Sequence, residues 1–555
     1  MRKTILWSLI LWTSLSFGQD FNKNVQDIQA ELQTVESGKK SYEQSIESVA
    51  PGVVSIQITE TDSKGKTKSY TFLFNLADID PHTVKAFAKK DLITVNLTAR
   101  KKQKLIQKTL DESKTSYISN FYIYGADMDN GRALAENIKK AIPVAQKLLE
   151  KRLSLHQYND RLDWLQEHIG AVDYEKKKIE QELTPKDTYP GVVRLHKKIT
   201  GGKSDKNITY EFNLANLNPK SVNFVVKGNT FGLKIATKQG LKLIKVTENG
   251  VQKPYVNKID LACKDVEQAR DIQKVLTDII PLAQQKWDKA VPNISNVSTA
   301  FDKLNELNNT VSANEQQYEQ NFEGDCIVTF TQKSITPKKT TEDVYSFNLV
   351  DIQKKNIKPK TKGKFIVLEI KTKGNNKFIQ HTKDGELGNY VSGLKIYTSG
   401  PEEALISQKA LQNSIEICQN KYQQKQKQSQ GFNQAFSILK ENMQNFDIGD
   451  TSYEQEINLK EDNKKLEYKR IEGNAKGSKE YLYEVNLSDL APKSVKIKVS
   501  GKKVMLEIGT KHLEKLIQYY KDGKIQSYQN KILIMAPDIE TARKMKQAFQ
   551  NMLKK

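Results

Sequence analysis

The sequence predicts an α+β protein of four tandem repeats. Each repeat is expected to be an antiparallel meander of about six or seven strands, closed by a C-terminal amphipathic helix and joined to the next repeat by helical linkers. Two observations predict this architecture. A strand that ends in Asn-Leu recurs four times, and an acidic helix start with an apolar stripe follows each copy. The asparagines are Asn75, Asn213, Asn348 and Asn486, at steps of 138, 135 and 138 residues.

Three further landmarks recur in one order around that strand. A Tyr-Glu pair precedes it, an apolar pair containing isoleucine follows it, and a second tyrosine comes next. The first tyrosines are Tyr42, Tyr174, Tyr318 and Tyr453; the isoleucines are Ile106, Ile244, Ile379 and Ile517; the later tyrosines are Tyr117, Tyr255, Tyr390 and Tyr528. These landmarks place repeat 1 at residues 19–157, repeat 2 at 158–296, repeat 3 at 297–425 and repeat 4 at 426–555.

Repeat 4 illustrates why strands are predicted before one closing helix. Residues 466–471 and 481–486 alternate apolar and polar side chains, as half-buried strands do. Lys521-Asp522-Gly523 predicts a tight hairpin, because glycine tolerates a positive φ. Asp538 is a predicted helix N-cap. The apolar face of the helix that follows consists of Ile539, Ala542, Met545, Ala548, Phe549 and Met552.

A sheet of short strands closed by one C-terminal helix resembles the pleckstrin-homology-like fold. The resemblance rests on Asn486-Leu-Ser-Asp-Leu490, and on Ile532-Leu-Ile-Met535 followed by the helix start Asp538–Arg543. It covers the sheet and final helix of each repeat but not the leading helices. The family binds phosphoinositides through a basic first hairpin, which is matched here around Lys64 and Gly201-Gly202-Lys203. We do not carry that activity over, because an exported protein does not meet those lipids.

Residues 1–18 are predicted to be a cleaved signal peptide, so the protein is expected to be periplasmic or extracellular. Arg2 and Lys3 precede an apolar stretch over residues 5–15, and small residues stand before Gln19, the expected first residue of the mature chain. The alternative is an uncleaved N-terminal anchor. No later segment approaches the roughly 18 apolar residues of a membrane span, so no transmembrane segment is expected in the mature chain.

The chain is strongly basic, with a formal charge of +22 at pH 7, which suggests an anionic partner. Only nine of its 88 basic residues are arginine, and specific reading of nucleic acid, which favours arginine, is therefore not expected. Lysines are densest at Lys338-Lys339, Lys354-Lys355 and Lys358–Lys364. We interpret them as a solvated surface, with the binding of an anionic polymer as the alternative.

No catalytic, cofactor-binding or metal-binding residue is predicted, so we expect a protein that is not an enzyme and needs no cofactor. The six histidines are dispersed and lack the spacing of zinc ligands. Asp78 and Asp80 form a carboxylate pair in one repeat only, which does not support acid–base catalysis. Gly201-Gly202-Lys203-Ser204 lacks the spacing of a phosphate-binding loop.

The recurring asparagines and tyrosines are interpreted as structural. Asparagine caps turns by bonding its own backbone, and aromatic residues on strands usually pack within the sheet. The alternatives are a ligand site shared by all repeats and aromatic platforms for bases or sugars.

Three cysteines, Cys263, Cys326 and Cys418, are too few for a disulfide framework. Cys326 and Cys418 would meet if the closing helix of repeat 3 packed across its sheet, and export would allow them to be oxidised. We favour free thiols, because no other repeat has an equivalent pair.

Together these observations predict a non-enzymatic, exported bacterial protein that binds or scaffolds in the cell envelope or outside it. Its partner is an unknown protein or envelope component, and repetition of a module supplies multivalency. One alternative is an electrostatic binder of anionic envelope polymer or lipid headgroups. The other is an enzyme with one specialised repeat, which would show a polar pocket that the other repeats lack.

Overall fold

The structure is a computed structural model that describes residues 20–174, 177–201, 204–227, 230–292, 294–313, 315–426, 431–460 and 464–554. The predicted signal peptide, residues 1–18, lies outside this range. The chain divides into two compact units, Met1–Val291 and Pro292–Lys555. The predicted α+β class is confirmed, and each unit contains the same succession of helix, nine strands and helix twice.

Unit 1 contains the helices and strands of repeats 1 and 2, and its end at Val291 falls five residues before the predicted end of repeat 2 at residue 296. The elements of repeat 1 are α1 (20–31), β1 (Val35–Ser37), β2 (Lys40–Ala50), β3 (Val53–Asp62), β4 (Thr67–Asn75), β5 (Ala86–Lys89), β6 (Leu92–Thr98), β7 (Ile106–Leu110), β8 (Lys114–Ile118), β9 (Asn120–Gly125) and α2 (Met128–Lys151). Those of repeat 2 are α3 (Tyr158–His168), β10 (Val172–Tyr174), β11 (Lys177–Pro185), β12 (Val192–Thr200), β13 (Lys206–Asn213), β14 (Asn223–Lys227), β15 (Thr230–Ala236), β16 (Ile244–Glu248), β17 (Val251–Val256), β18 (Lys258–Cys263) and α4 (Val266–Ala290).

Unit 2 contains repeats 3 and 4. The elements of repeat 3 are α5 (Val297–Asn308), β19 (Thr310–Ala313), β20 (Gln316–Gly324), β21 (Ile327–Thr336), β22 (Lys339–Asn348), β23 (Pro359–Lys362), β24 (Phe365–Lys371), β25 (Gln380–Lys383), β26 (Glu386–Leu387), β27 (Gly393–Thr398) and α6 (Pro401–Gln426). Those of repeat 4 are α7 (Phe432–Glu441), β28 (Phe446–Ile448), β29 (Thr451–Lys460), β30 (Lys465–Asn474), β31 (Gly477–Asn486), β32 (Lys496–Ser500), β33 (Lys503–Gly509), β34 (Ile517–Lys521), β35 (Lys524–Gln529), β36 (Lys531–Ala536) and α8 (Ile539–Met552).

Each repeat forms two antiparallel sheets, so the predicted single meander of six or seven strands is wrong. In repeat 1 the strand orders are β1-β2-β3-β4-β7-β8 and β5-β6-β9, and the other three repeats follow the same plan. The chain leaves the large sheet after its fourth strand, forms a hairpin of the small sheet, returns for two strands and crosses again for the ninth. Alternation of apolar residues marks the strands but does not tell which sheet each one joins.

The recurring asparagine supports the first departure from the large sheet. The side-chain oxygen of Asn75 accepts a hydrogen bond from the backbone N–H of Ala77 at 2.9 Å. Asn213 and Asn348 cap their own turns in the same way, at 2.9 and 3.0 Å. Asn486 is exposed and makes no such bond. The structural interpretation of this residue is therefore confirmed in the first three repeats.

A glutamine that was not predicted from the sequence joins the two sheets in every repeat, and it is buried in the first three. Gln320 on β20 accepts a hydrogen bond from the backbone N–H of Tyr397 at 2.8 Å and donates to its carbonyl at 2.9 Å. It also donates to the carbonyl of Asn308, the last residue of α5, at 2.8 Å. The equivalent residues are Gln44, Gln181 and Gln455, and each follows a glutamate. The repeated Glu-Gln pair was the available signal.

The register of the sheets corrects one landmark of repeat 2. Tyr42 on β2 pairs with Val35 on β1, and the residue that pairs with the equivalent Val172 is Ile179 on β11. Tyr174 lies on the preceding strand β10, and Glu175 lies outside the described residues. Tyr174 is thus not the equivalent of Tyr42, because a Tyr-Glu pair also occurs by chance one strand earlier.

A second polar bond between the sheets occurs beside the glutamine in three repeats. In repeat 2 the ammonium group of Lys197 donates to the backbone carbonyl of Asp260 at 2.7 Å. Gln332 and Arg470 occupy the same place and donate to the carbonyls of Lys395 and Leu533 at 3.0 and 2.9 Å. The sheets therefore meet through hydrogen-bonded polar side chains as well as apolar ones.

The closing helix packs as predicted. In repeat 4 the carboxylate of Asp538 accepts a hydrogen bond from the backbone N–H of Thr541 at 2.7 Å, which caps α8. The predicted apolar face is buried in the core of the repeat, which also contains Leu466 and Tyr468 of the large sheet and Leu506 of the small one.

Cys326 and Cys418 form a disulfide, so the preference for free thiols was wrong. Their Cα atoms are 5.5 Å apart, and Cys263 is the free cysteine among the described residues. Helix α6 packs across the sheet of repeat 3 and brings Cys418 to Cys326, which precedes β21. Comparison with the other repeats failed to predict the bond, because a crosslink that one repeat gains leaves no trace in its neighbours.

Within unit 1, the turn after β4 of repeat 1 docks on the closing helix of repeat 2. Asp78 pairs with Arg270, and both are buried. Arg152, which follows α2, donates to Glu267 at 2.7 Å. The rings of Tyr117 and Phe231 contact each other with their centroids 5.0 Å apart.

Unit 2 contains the same contact between repeats 3 and 4. Asp351, in the turn after β22, pairs with Arg543 on α8 at 2.5 Å. Tyr390, the equivalent of Tyr117, is buried, and its backbone N–H donates to the carbonyl of Gly501 in repeat 4 at 3.1 Å. An ion pair with a buried aspartate in the same position therefore marks the docking of two repeats in each unit.

Replacing the central glutamine should destabilise the fold. We expect Gln320→Ala to lower the free energy of unfolding by about 2–4 kcal/mol, because it leaves buried groups of Tyr397 and Asn308 without partners. Urea unfolding of the full chain measures this. The matched control is Asn321→Ala, on the exposed face of the same strand, for which we expect a change below about 0.5 kcal/mol. An equal effect of both substitutions would contradict the proposed link between the sheets.

Alkylation of the denatured protein should report the disulfide. Without reductant we expect one labelled cysteine, Cys263, and with reductant three. The bond closes a sequence separation of 92 residues, so reduction should destabilise repeat 3 by up to about 4–5 kcal/mol in the chain-entropy model. Mass spectrometry that finds three labels without reductant would show that the bond does not form.

The buried Lys197 should make stability depend on alkaline pH. Burial lowers the pKa of Lys197 to about 8, whereas the unfolded chain retains its ordinary value near 10.5. The folded state thus loses this proton first, and the free energy of unfolding should rise with pH between those values, by about 3 kcal/mol in all. Lys197→Gln, which introduces the residue type of repeat 3, should remove the rise. Identical pH profiles of the two proteins in urea unfolding would refute this.

Candidate functional site

A cavity in repeat 3 gathers lysines from the basic segment identified in the sequence. Its volume is about 750 Å³. Lys338 reaches it from the hairpin between β21 and β22, and Lys362 and Lys364 from the hairpin between β23 and β24. The first hairpin belongs to the large sheet and the second to the small sheet. The cavity therefore lies where turns from the two sheets converge.

Short turns hold these lysines in place. Thr336 pairs with Lys339 across the first hairpin, which leaves Pro337 and Lys338 as a two-residue turn. Lys362 pairs with Phe365 across the second, which leaves Gly363 and Lys364. Gly363 has a φ of 62°, a conformation that favours glycine in tight hairpins.

Three aromatic rings form the wall behind the lysines. Tyr318 and Tyr397 stack with their centroids 3.5 Å apart, and Phe365 meets both rings edge-on at 5.4 and 5.3 Å. All three side chains are buried apart from the portions that line the cavity. The neighbouring glutamine, Gln320, fixes the backbone of Tyr397 and so positions this wall.

The electrostatics of the cavity favour an anion. Lys362 donates a hydrogen bond to the Tyr397 hydroxyl at 2.7 Å, and its ammonium group lies 5.4 Å from the centre of that ring. Glu315 is the carboxylate in the lining, against three lysines. Burial, helped by a bond to Tyr397, raises the pKa of Tyr318 to about 12, so this hydroxyl keeps its proton at neutral pH.

Two lysines of the basic segment that lie outside the cavity form ion pairs with carboxylates. Lys354 pairs with Glu416 and Lys360 with Glu369, each at 2.5 Å. The segment thus contains both a solvated, ion-paired surface and the lysines of the cavity. Sequence spacing could not separate the two groups, because their positions depend on which hairpin turn carries each residue.

The equivalent positions in the other repeats carry only part of this combination, although Lys89 matches Lys362, Lys476 matches Lys338 and Lys502 matches Lys364. In repeat 1 the rings of Tyr42 and Tyr124 also contact each other, tilted and with centroids 4.3 Å apart, but Asp91 stands in the place of Lys364. Repeat 2 has Ile179 and Ala262 in place of the tyrosine pair. In repeat 4, Tyr453 packs against methionines rather than tyrosine. The combination of aromatic wall and lysine rim is therefore particular to repeat 3 among the described residues.

The remaining sequence candidates have structural roles in the described part of the chain. Asp78 pairs with Arg270, and Asp80 accepts a hydrogen bond from the backbone N–H of His82 at 3.0 Å. The structure does not bring these two carboxylates into one site. Gly202 and Lys203 lie outside the described residues, and Gly201 ends the strand pair at a positive φ of 78°.

A cluster of potential metal ligands does not amount to a metal site. Among the described residues it consists of Asp325, Cys326 and Cys418. The two sulfur atoms are bonded to each other, and a disulfide lacks the thiolate that binds metal. The prediction that the protein has no cofactor and no metal stays a prediction.

Comparisons with protein-family models, with curated proteins and with solved structures each find no match. In the described ranges, no helix has both the length and the apolar character needed to cross a membrane. The cavity of repeat 3 is thus the feature from which a function can be argued.

Proposed function

We propose that the protein is a non-enzymatic, exported binding protein whose third repeat binds an acidic polysaccharide of the cell envelope or exterior. The observation that carries the proposal is the convergence of Lys338, Lys362 and Lys364 on one aromatic cavity.

The lining groups suit ring-shaped acidic ligands. A cavity of this size lies within the range of small-ligand sites and would accommodate a few sugar rings. Aromatic side chains offer apolar surface for the carbon faces of sugars, and lysines offer mobile point charges for carboxylates. Lipid headgroups, the alternative anionic partner, carry flexible charges that would use the lysines but not the aromatic wall.

Binding is favoured over catalysis by the same groups. A general base needs a pKa near the working pH, whereas that of Tyr318 is raised to about 12. Lys362 is engaged with the Tyr397 hydroxyl. An enzyme with one active repeat would also need one specialised repeat. The residues that line the cavity of repeat 3, however, supply charge and apolar surface rather than an acid–base pair.

Several finer expectations belong to the same proposal. Cleavage before Gln19 would release the mature chain to the periplasm or the exterior, where the Cys326–Cys418 bond would persist. The four repeats would act as a scaffold that presents repeat 3, with boundaries at 157/158, 296/297 and 425/426. The resemblance to the pleckstrin-homology-like fold is retained only as an expectation about the sheet and closing helix of each repeat.

Titration calorimetry with polygalacturonate tests the proposal on the mature chain, residues 19–555. We expect Lys338→Ala/Lys362→Ala to weaken binding about tenfold or more, because two cationic contacts are removed. Binding should also weaken as salt is added. Dextran, a neutral polysaccharide, should not bind with comparable affinity.

The control variant is Lys64→Ala/Lys89→Ala, which removes the lysines of the two corresponding hairpins in repeat 1. It has the same net charge as the cavity variant, so a general effect of charge would appear in both. Equal losses in the two variants, or unchanged binding by the cavity variant, would contradict a site in repeat 3.

A further inference from the structure

The docking of repeats inside each unit uses two complementary surfaces. We define the exit face of a repeat as its recurring Asn-Leu turn with the nearby later tyrosine; in repeat 1 this face includes Asp78 and Tyr117. We define the entry face as the first turns of the closing helix and the adjoining small sheet; in repeat 2 it includes Arg270 and Phe231. The exit faces of repeats 1 and 3 bind the entry faces of repeats 2 and 4.

The exit face of repeat 4 is exposed. Tyr528, the equivalent of the buried Tyr117 and Tyr390, is 47% exposed. Leu516, the equivalent of the buried Leu105, is 41% exposed. Exposure of large apolar residues whose equivalents are buried in other repeats indicates an interaction surface.

The polar groups of this face also match those of the occupied ones. Asp489 stands where Asp78 and Asp351 bind arginine, and within the described residues it forms no ion pair. A cavity of about 660 Å³ beside it is lined by Leu487, Lys464 and Lys511. The positive charge of Lys511 recurs in two other repeats. The equivalent residues are Arg100, whose charge favours the ionised form of Asp78, and Lys373, whose charge favours that of Asp351.

The entry face of repeat 1 is exposed as well. Arg132, the equivalent of Arg270 and Arg543, is 71% exposed. It pairs with Asp129 three residues earlier at 3.0 Å, as the other two arginines pair with Glu267 and Glu540. The guanidinium group is thus held in the same intrahelical arrangement but has no aspartate from another repeat in the described structure.

One docking aspartate and one docking arginine have no partner from another repeat in the described structure. The aspartate occurs in repeats 1, 3 and 4, because repeat 2 has Asn216 in its place. The arginine occurs in repeats 1, 2 and 4, because repeat 3 has Leu405. Two pairs form within the units, and the two residues that remain are Asp489 and Arg132.

We propose that two copies of this chain associate head to tail, with the exit face of repeat 4 on one chain bound to the entry face of repeat 1 on the next. Asp489 pairs with Arg132 of the second copy, while Leu516 and Tyr528 bury their exposed surface against its small sheet. The occupant is a second copy because this chain presents the complementary charge on the equivalent of an interface that it already forms twice. Such a contact joins unlike surfaces, so repetition of it builds a ring or an open filament.

Charge reversal in separate chains tests this association. We expect the mature wild-type chain to show a mass that increases with concentration in sedimentation velocity. Asp489→Arg and Arg132→Asp should each weaken self-association about tenfold or more, because each places like charges opposite one another. An equimolar mixture of the two variants should regain the wild-type behaviour, because every contact between unlike chains again pairs opposite charges.

The controls separate this contact from a general effect of charge. Asp302→Arg and Lys140→Asp make the same kinds of change at exposed positions outside both faces and should associate like the wild type. Leu516→Ser/Tyr528→Ser should abolish association while the far-ultraviolet circular dichroism stays unchanged. A wild-type chain that is monomeric at all concentrations, or a mixture that fails to regain association, would overturn the proposal. Neither result would affect the ligand site of repeat 3.

Discussion

The fold of each repeat depends on one carboxamide group between its two sheets, which is buried in the first three repeats. The ninth strand is an edge of the small sheet, so the N–H and the carbonyl of Tyr397 on β27 lack a partner strand and must be satisfied in the interior. Gln320 provides an acceptor and a donor on one rigid plane and so replaces a neighbouring peptide group. Neither leucine nor glutamate could do both. The aromatic wall of the cavity depends on this bond, because Tyr397 is the residue that the glutamine fixes.

The contacts between repeats show how one scaffold can be joined in a defined order. A buried ion pair contributes little net stability, but a buried charge without its partner is strongly unfavourable. Asp78 and Arg270 therefore act mainly as a requirement for the correct neighbour and register. Repeat 2 has Asn216 in place of the aspartate and repeat 3 has Leu405 in place of the arginine, so neither has this requirement at that position. The residues at these two positions therefore determine which repeats can form the ion pair.

Local features of the repeat were predictable from the sequence, because they depend on neighbouring residues. The asparagine cap at Asn75 and the apolar face that follows Asp538 are of this kind, and both are found. The division of strands between two sheets was not predictable, because β9 pairs with β6 rather than with the strand before it. The cavity of repeat 3 was visible only as a dense run of lysines. Its lysines come from two hairpins that meet in space, and its aromatic wall was interpreted as ordinary sheet packing. The disulfide escaped prediction for the same reason, since it links residues that only the packed helix brings together.

The order of strands along the chain has a consequence for folding. The last strand of the small sheet follows all strands of the large sheet in the sequence. Gln320 therefore binds a backbone that lies 77 residues later in the chain. A chain interrupted before that strand would expose the edge of β24 and leave the carboxamide without partners. Contacts this distant in sequence slow folding. A partly synthesised repeat is therefore exposed to aggregation or proteolysis until its ninth strand and closing helix have been made.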